Sequence, residues 1–174
     1  MKYKSSESFN HTQAEKLGVL LVNLGTPGAP TAKALKPYLK QFLSDTRVVE
    51  VPRLVWWFIL NGVILPCRSK KSAEAYASIW TEKGSPLAVN TEAISTALKN
   101  RWQDREVVID FAMRYGQPDI DGKIEYLLSK GVKKLLVLPL YPQYSATTTA
   151  STFDAISASF RKRRWFPELR FVNQ

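Results

Sequence analysis

The sequence predicts an α/β fold of the three-layer, doubly wound kind, built on a mostly parallel four-stranded sheet. Three observations point to it. Apolar runs without polar alternation occur at residues 16–24, 106–112 and 132–140, the pattern of strands buried on both faces. Between them lie segments with apolar residues at helical spacing, so strands and helices alternate and the connections must cross over. Polar and Gly/Pro-rich segments fall where the strands end, at 23–28, 113–118 and 141–149. That is the edge where ligands gather in such sheets.

The first strand, 16–24, is broken by Gly25-Thr26-Pro27-Gly28. From Thr31 onward Leu35, Leu39, Phe42 and Leu43 repeat at helical spacing, and Pro37 predicts that this helix starts there or bends early. Residues 52–62 hold Leu54, Val55, Trp56, Trp57, Phe58, Ile59 and Leu60, too apolar for a routine solvent-facing loop. A helix over 69–80 follows, closed by residues 82–86. Asn90 or Thr91 is the expected cap of the next helix, with Ile94, Ala97, Leu98 and Arg101 along one side. After the second strand, 106–112, Asp119 caps a helix with Ile120, Ile124, Leu127 and Leu128 on one stripe, and Gly131 closes it. The third strand spans 132–140. Phe153, Ile156 and Phe160 mark a further helix, and 169–172 begins a fourth strand.

Composition bounds the function. At 174 residues the chain fits one domain, and 45% apolar with 23% charged residues excludes a disordered protein. The formal charge of +10 invites an anionic partner, whether nucleic acid, an acidic membrane surface or a carboxylate-bearing ligand. Cys67 is the only cysteine and His11 the only histidine, so there is no disulfide framework, and zinc sites rich in Cys and His cannot be built. Residues 1–16 read as a polar, disordered leader without the apolar run of a secretory signal, which places the protein in the cytoplasm. The apolar stretch 51–66 is interrupted by Arg53 and Asn61 and falls short of the about 20 residues that span a bilayer. The sequence stops at Gln174 directly after the fourth strand, which reads as a truncation.

Four segments carry candidate chemistry. Gly25, Thr26 and Pro27 form a strand-to-helix turn whose amides can cradle an anion, or simply a tight turn; the phosphate-binding glycine patterns are missing. Arg114 and Tyr115 leave the second strand together, a fixed cation able to pair with a carboxylate and a phenol able to donate to or stack on a flat ligand. Residues 142–151 bring five Ser/Thr hydroxyls, those of Ser145 and Thr147 among them, to a strand-to-helix connection, suited to a carboxylate or phosphate, or to ordinary capping. The 54–65 stretch, with Trp56, Trp57 and Phe58 bracketed by Arg53 and Arg68, is core, interface, membrane-contacting lip or wall for a flat apolar ligand. The run Arg161-Lys162-Arg163-Arg164 is a solvated face, or a contact for anionic lipid or nucleic acid.

Residues 21–27 (LVNLGTP), 84–87 (GSPL), 114–116 (RYG) and 138–149 (LPLYPQYSATTT) together closely resemble the ferrochelatases. These enzymes insert ferrous iron into protoporphyrin IX in the last step of haem synthesis. The resemblance runs from Leu17 to the end of the chain, and Phe42-Leu43-Ser44-Asp45 with Ile64-Leu65-Pro66 is similar to the proteobacterial branch. It implies two similar doubly wound, chelatase-like domains with the porphyrin between them. Residues 17–174 would be the amino-terminal one, with an apolar lip at 51–66, and the second domain would be absent. The family's essential His and Glu would lie beyond Gln174; His11 matches neither, and Leu24 stands where some members have a metal-contacting tyrosine.

By the same resemblance, Arg114 and Tyr115 would stand on a cleft wall as candidate catalytic residues. Trp56, Trp57, Phe58, Arg53, Tyr144, Ser145 and Thr147 would contact porphyrin, and no complete metal site is expected within the chain. No tightly bound cofactor is implied; ferrous iron and protoporphyrin IX are substrates. The implied partners are the porphyrin, the missing carboxyl-terminal domain and the anionic inner membrane, touched peripherally, without nucleic acid. Two rivals stay open: another tetrapyrrole chelatase, such as one inserting cobalt, and a basic nucleic-acid-binding α/β module.

Overall fold

A computed structural model of the chain describes residues 3–4 and 15–173. His11 and most of the leader lie outside the described residues. Four strands, β1 (Lys16–Thr26), β2 (Val107–Gly116), β3 (Val132–Pro139) and β4 (Glu168–Phe171), form one sheet in the order β2-β1-β3-β4. All three pairings are parallel. The expected doubly wound α/β architecture is therefore the observed one.

The period-2 alternation of β1 feeds two cores, one on each side of the sheet. Leu20 and Val22 point to one face, where they meet Ile124 and Leu127 of α5 (Ile120–Ser129) and Ile156 of α6 (Ser151–Phe160). Val19 and Leu21 point to the other, where Ile109 and the partly buried Leu98 and Trp102 join them beneath α4 (Pro86–Arg101). Each fully buried leucine or isoleucine contributes about 1.5–3 kcal/mol, so the heavier face is the one under α5 and α6.

Three helical expectations need correction. The first helix, α1 (Ala32–Leu43), begins well ahead of Pro37, because the Thr31 hydroxyl accepts the Ala34 N–H and starts it there. Pro37 lies inside α1, where it leaves the Lys33 carbonyl without the N–H it would otherwise receive. The cap of α4 is Ser85, with Pro86 at the first helical position, and neither Asn90 nor Thr91. Its inward face is Thr91 and Ser95 rather than Ile94 and Ala97, small side chains that let the helix approach the sheet, while Ile94 is 45% exposed. Asp119, by contrast, caps α5 as expected, accepting the Gly122 N–H at 2.7 Å.

The apolar stretch after α1 forms a continuous helical arm. α2 (Arg53–Ile59) runs through a π-helical turn, Leu60–Ile64, into α3 (Leu65–Ile79), which packs on α1. Leu60 and Leu65 are buried, but the α2 surface is not.

Candidate functional site

The carboxyl ends of β1 and β2 approach so closely that only glycine fits. Gly25 has φ +105°, and a Cβ there would lie 1.8 Å from the Tyr115 carbonyl oxygen. The strands therefore stay paired to Thr26↔Gly116, and the Gly25 carbonyl receives the Tyr38 hydroxyl at 3.2 Å. Thr26 and Pro27 are buried just beyond. This segment is a tight turn that fixes where β2 delivers its last side chains.

Those side chains are Arg114 and Tyr115, and both turn inward. Tyr115 is fully buried, its ring set edge-on to Phe42 at 5.1 Å between centroids. Arg114 lies with its guanidinium carbon 4.5 Å from the Tyr115 ring centroid. The carboxylate that completes the pair is Asp45, just after α1. Asp45 Oδ2 accepts from Arg114 Nη2, from the Ser151 hydroxyl, and from the Tyr115 hydroxyl at 2.7 Å. Its other oxygen accepts the Arg47 N–H at 2.8 Å. Arg114 Nε donates to the Ser151 hydroxyl at 2.7 Å and to its carbonyl at 2.9 Å.

Burial by itself would push the Asp45 carboxyl up. The donors from Ser151, Tyr115 and Arg47, with the Arg114 charge, outweigh it and hold the carboxyl below its ordinary value. The Tyr115 phenol is shifted up, mainly by burial, so it stays protonated. Sequence reasoning found Arg114 and Tyr115 and placed Ser151 in the hydroxyl segment 142–151, but missed Asp45 as the carboxylate that joins them. The one signal available was that a buried cation needs an anion, and the only acid between α1 and the lip's Arg53, other than Glu50, is Asp45.

The lip residues divide. Leu54 is 73% exposed, Trp57 56% and Phe58 61%, with Trp57 and Phe58 packed edge to face at 5.0 Å. Trp56 faces the other way and donates its indole N–H to the Leu43 carbonyl at 2.6 Å, and Arg53 donates to the Ser44 carbonyl. The two anchors thus satisfy orphan carbonyls at the end of α1. Core, the commonest role for clustered aromatics, is the role of Leu60 and Leu65 at the end of this stretch but not of Trp57 and Phe58.

In the hydroxyl segment, Ser145 caps the π-helical turn Ala146–Ala150, accepting the Thr147 N–H at 3.3 Å and sharing a 2.9 Å contact with the Thr147 hydroxyl. Tyr144 is 54% exposed, and Thr149 and Thr152 are buried.

A cavity of about 1030 Å³ crosses the ends of β1 and β2, at the upper end of small-ligand volumes. It brings together Thr26, Pro27, Arg53, Arg114 and Asp45, and leaves Trp56, Trp57, Phe58, Tyr115, Tyr144, Ser145 and Thr147 outside its lining. Its four cationic side chains, Arg53, Lys83, Arg114 and Arg161, face four carboxylates, Asp45, Asp119, Asp121 and Asp154, so the overall positive charge is not focused there. The run at 161–164 is not uniformly solvated: Arg163 is buried and ion-paired with Asp121 at 2.8 Å. Among the described residues, no group of His, Cys, Asp and Glu could hold a metal ion, and no helix is long and apolar enough to cross a membrane.

Comparison with known proteins agrees on one family. The sequence model of the ferrochelatase family matches residues 16–174. The ferrochelatase of Idiomarina loihiensis is 64% identical over 99% of this chain and 48% of its own length. That of Teredinibacter turnerae is 64% identical over 100% of the chain and 48% of its own length, and that of Pseudoalteromonas atlantica 56% identical over 99% and 49%. The chain spans about half the length of the curated relatives it matches. With a family match over nearly all of its residues, the chain belongs to the ferrochelatase family.

Proposed function

We propose that the protein containing this chain inserts ferrous iron into protoporphyrin IX, the last step of haem synthesis, and that residues 17–174 supply one wall of the porphyrin site. The observation that carries this reading is the family match over residues 16–174 together with 64% identity to two bacterial ferrochelatases. The residue chemistry supports it. A porphyrin is flat and apolar with two carboxylates at its edge. The outward Trp57 and Phe58 offer an apolar surface to its face, and Arg53 with the Ser145 and Thr147 hydroxyls offers donors to its acids.

Insertion exchanges two pyrrole protons for one divalent metal ion, so the site must bind the macrocycle, admit the ion and take up the protons. Arg114 and Tyr115 serve this work indirectly in the present arrangement. Each is committed to Asp45, and a buried phenol kept protonated is a poor proton acceptor. The metal and porphyrin ligands are therefore completed by the rest of the protein, and the 174-residue chain by itself binds porphyrin weakly and turns over poorly. The exposed apolar helix α2 beside Arg53, Arg68, Lys70 and Lys71 suits peripheral contact with an anionic membrane from the cytoplasmic side.

The test is metal insertion by the full-length protein, followed by porphyrin fluorescence, with ferrous and cobaltous ions offered separately. Preference for ferrous iron supports the proposal, and preference for cobalt makes the protein a different tetrapyrrole chelatase. Porphyrin binding that survives high salt, with no oligonucleotide binding, separates it from a nucleic-acid module.

A further inference from the structure

Asp45 stands where three separate parts of the chain meet, and two of the three lead to segments proposed above to touch porphyrin. On its own segment, the adjoining Leu43 and Ser44 carbonyls hold Trp56 and Arg53, and thereby set the angle of α2 and its outward Trp57 and Phe58. Across the site, its carboxylate takes Arg114 and Tyr115 from the end of β2. On the far side it takes the hydroxyl of Ser151, the residue that follows the π-helical turn Ala146–Ala150 capped by Ser145. Arg47, two residues on, reinforces the third link with a two-pronged pair to Asp154 of α6 at 2.8 and 3.3 Å.

The side chain of Asp45 is 7% exposed. Its oxygens accept from four donors, one on each of Arg47, Arg114, Tyr115 and Ser151, which leaves little capacity for a ligand. Arg114 is tied into the same cluster: Nε lies on Ser151 and Nη2 on Asp45. The carboxylate that Arg114 binds is internal.

We propose that Asp45 is the positioning residue of the porphyrin site: its carboxylate, with the Ser151 hydroxyl, fixes the α2 lip and the Ser145–Thr147 hydroxyls in register with each other through Arg114 and Tyr115. The inference rests on the porphyrin reading above and adds a role within it. Two gripping segments on separate elements bind a rigid macrocycle well only while their relative placement is held. Sub-ångström errors in such placement cost affinity. Loss of the Asp45 charge leaves Arg114 buried without its counter-ion, and the three segments lose their common fastening.

The experiment is steady-state metal insertion and equilibrium porphyrin binding by the full-length protein carrying Asp45→Asn, Asp45→Glu or Ser151→Ala. The expected result for Asp45→Asn is a rise of about tenfold in porphyrin KM and in porphyrin dissociation constant. The KM for ferrous iron stays unchanged, and kcat stays within about threefold of wild type. Asp45→Glu, which keeps the charge, recovers part of the affinity; a role confined to stability would lower the melting temperature and leave these constants unmoved. An unchanged porphyrin KM in folded Asp45→Asn overturns the proposal, as does a loss confined to kcat, which would put Asp45 in the chemistry. Should Asp45→Asn not fold, Ser151→Ala decides: raised porphyrin KM and dissociation constant support the proposal and unchanged values overturn it. Wild-type protein that binds porphyrin without inserting metal sinks the proposed activity, while the binding constants of the variants still judge Asp45. Wild-type protein that binds no porphyrin overturns both.

Discussion

Arg163 sets its Nη1 2.8 Å from Oδ1 of Asp121 while only 5% of its own side chain meets solvent. The same nitrogen reaches the Ser159 carbonyl and hydroxyl at 3.1 and 3.2 Å, and Nη2 reaches the Asp121 carbonyl at 3.1 Å. Lys4 closes the cluster from the amino-terminal side, bonding Asp121 at 3.2 Å and Glu125 at 2.9 Å. Its backbone forms an isolated bridge with Arg163. One residue of the basic run at 161–164 is therefore a clamp between α5, α6 and the amino-terminal segment.

The clamp distinguishes neighbours in sequence. Arg163→Ala leaves Asp121 without its buried partner and is expected to cost about 3 kcal/mol, lowering the melting temperature by roughly 6–12 °C. Arg164→Ala, an exposed position, is expected to change stability by less than about 0.5 kcal/mol. Thermal and urea unfolding of the two variants make the comparison, and equal losses would show that Arg163 is no clamp.

Acid should weaken the fold through two carboxylates. Burial opposes ionisation of Asp121, but the Ser159, Arg163 and Lys4 donors overcome it and hold this carboxyl well below the usual range. Asp45 is lowered too, against its own burial. A group whose folded pKa is depressed contributes stability that is complete above its unfolded value, about 3.9, and lost as pH falls through the folded one. Urea midpoints are therefore expected to hold between pH 7 and 6 and to drop below about pH 4. Asp121→Asn should show a lower midpoint at pH 7 and a flatter acid limb; an acid limb as steep as wild type would remove Asp121 from the account.

The turn at the end of β1 tolerates no side chain. Gly25→Ala would set a methyl group against the Tyr115 backbone carbonyl at a φ that L residues rarely adopt. Neither strand can retreat without unpairing Thr26 from Gly116. The expected outcome is a loss of more than about 3 kcal/mol, read as a lower urea midpoint or failure to accumulate as soluble protein. Gly28→Ala, where nothing lies within 4 Å of the added methyl, serves as the tolerated control.

The strands were legible because β1 is buried on both faces and β3 on one, with the partly buried Leu136 and Leu138 on the other, and a largely apolar run bounded by turn residues fits best inside a covered sheet. Asp119 was legible as a cap because its role is local, a contact three residues long. The face of α4 was misread because a helix that lies close on a sheet turns small polar Thr91 and Ser95 inward, which hydropathy scores as the wet side. Asp45 and Arg114 are 69 positions apart, and nothing local announces such a pairing. The sequence showed a cation, and an external carboxylate was the simplest partner to expect. Trp56 and Trp57 are adjacent and chemically identical, so only the helical rotation between them tells the anchor from the exposed ring.

On the proposed reading, that rotation separates fold from function by one residue. Trp57→Ser removes a ring that is more than half exposed and should leave the unfolding free energy within about 0.5 kcal/mol of wild type. Trp56→Phe keeps an aromatic ring but strands the Leu43 carbonyl that the indole N–H satisfies, at a cost of about 1–2 kcal/mol. Porphyrin affinity should order them the other way. If Trp57 lies against the macrocycle as proposed, Trp57→Ser is expected to weaken binding about tenfold, whereas Trp56→Phe acts only through the seating of α2 and should weaken it by less. Fluorescence titration of each full-length variant with protoporphyrin IX, set beside its urea midpoint, measures both quantities. A Trp57→Ser variant that binds as wild type would assign the exposed face of α2 to a surface other than porphyrin, with lipid vesicles carrying anionic headgroups the next surface to try.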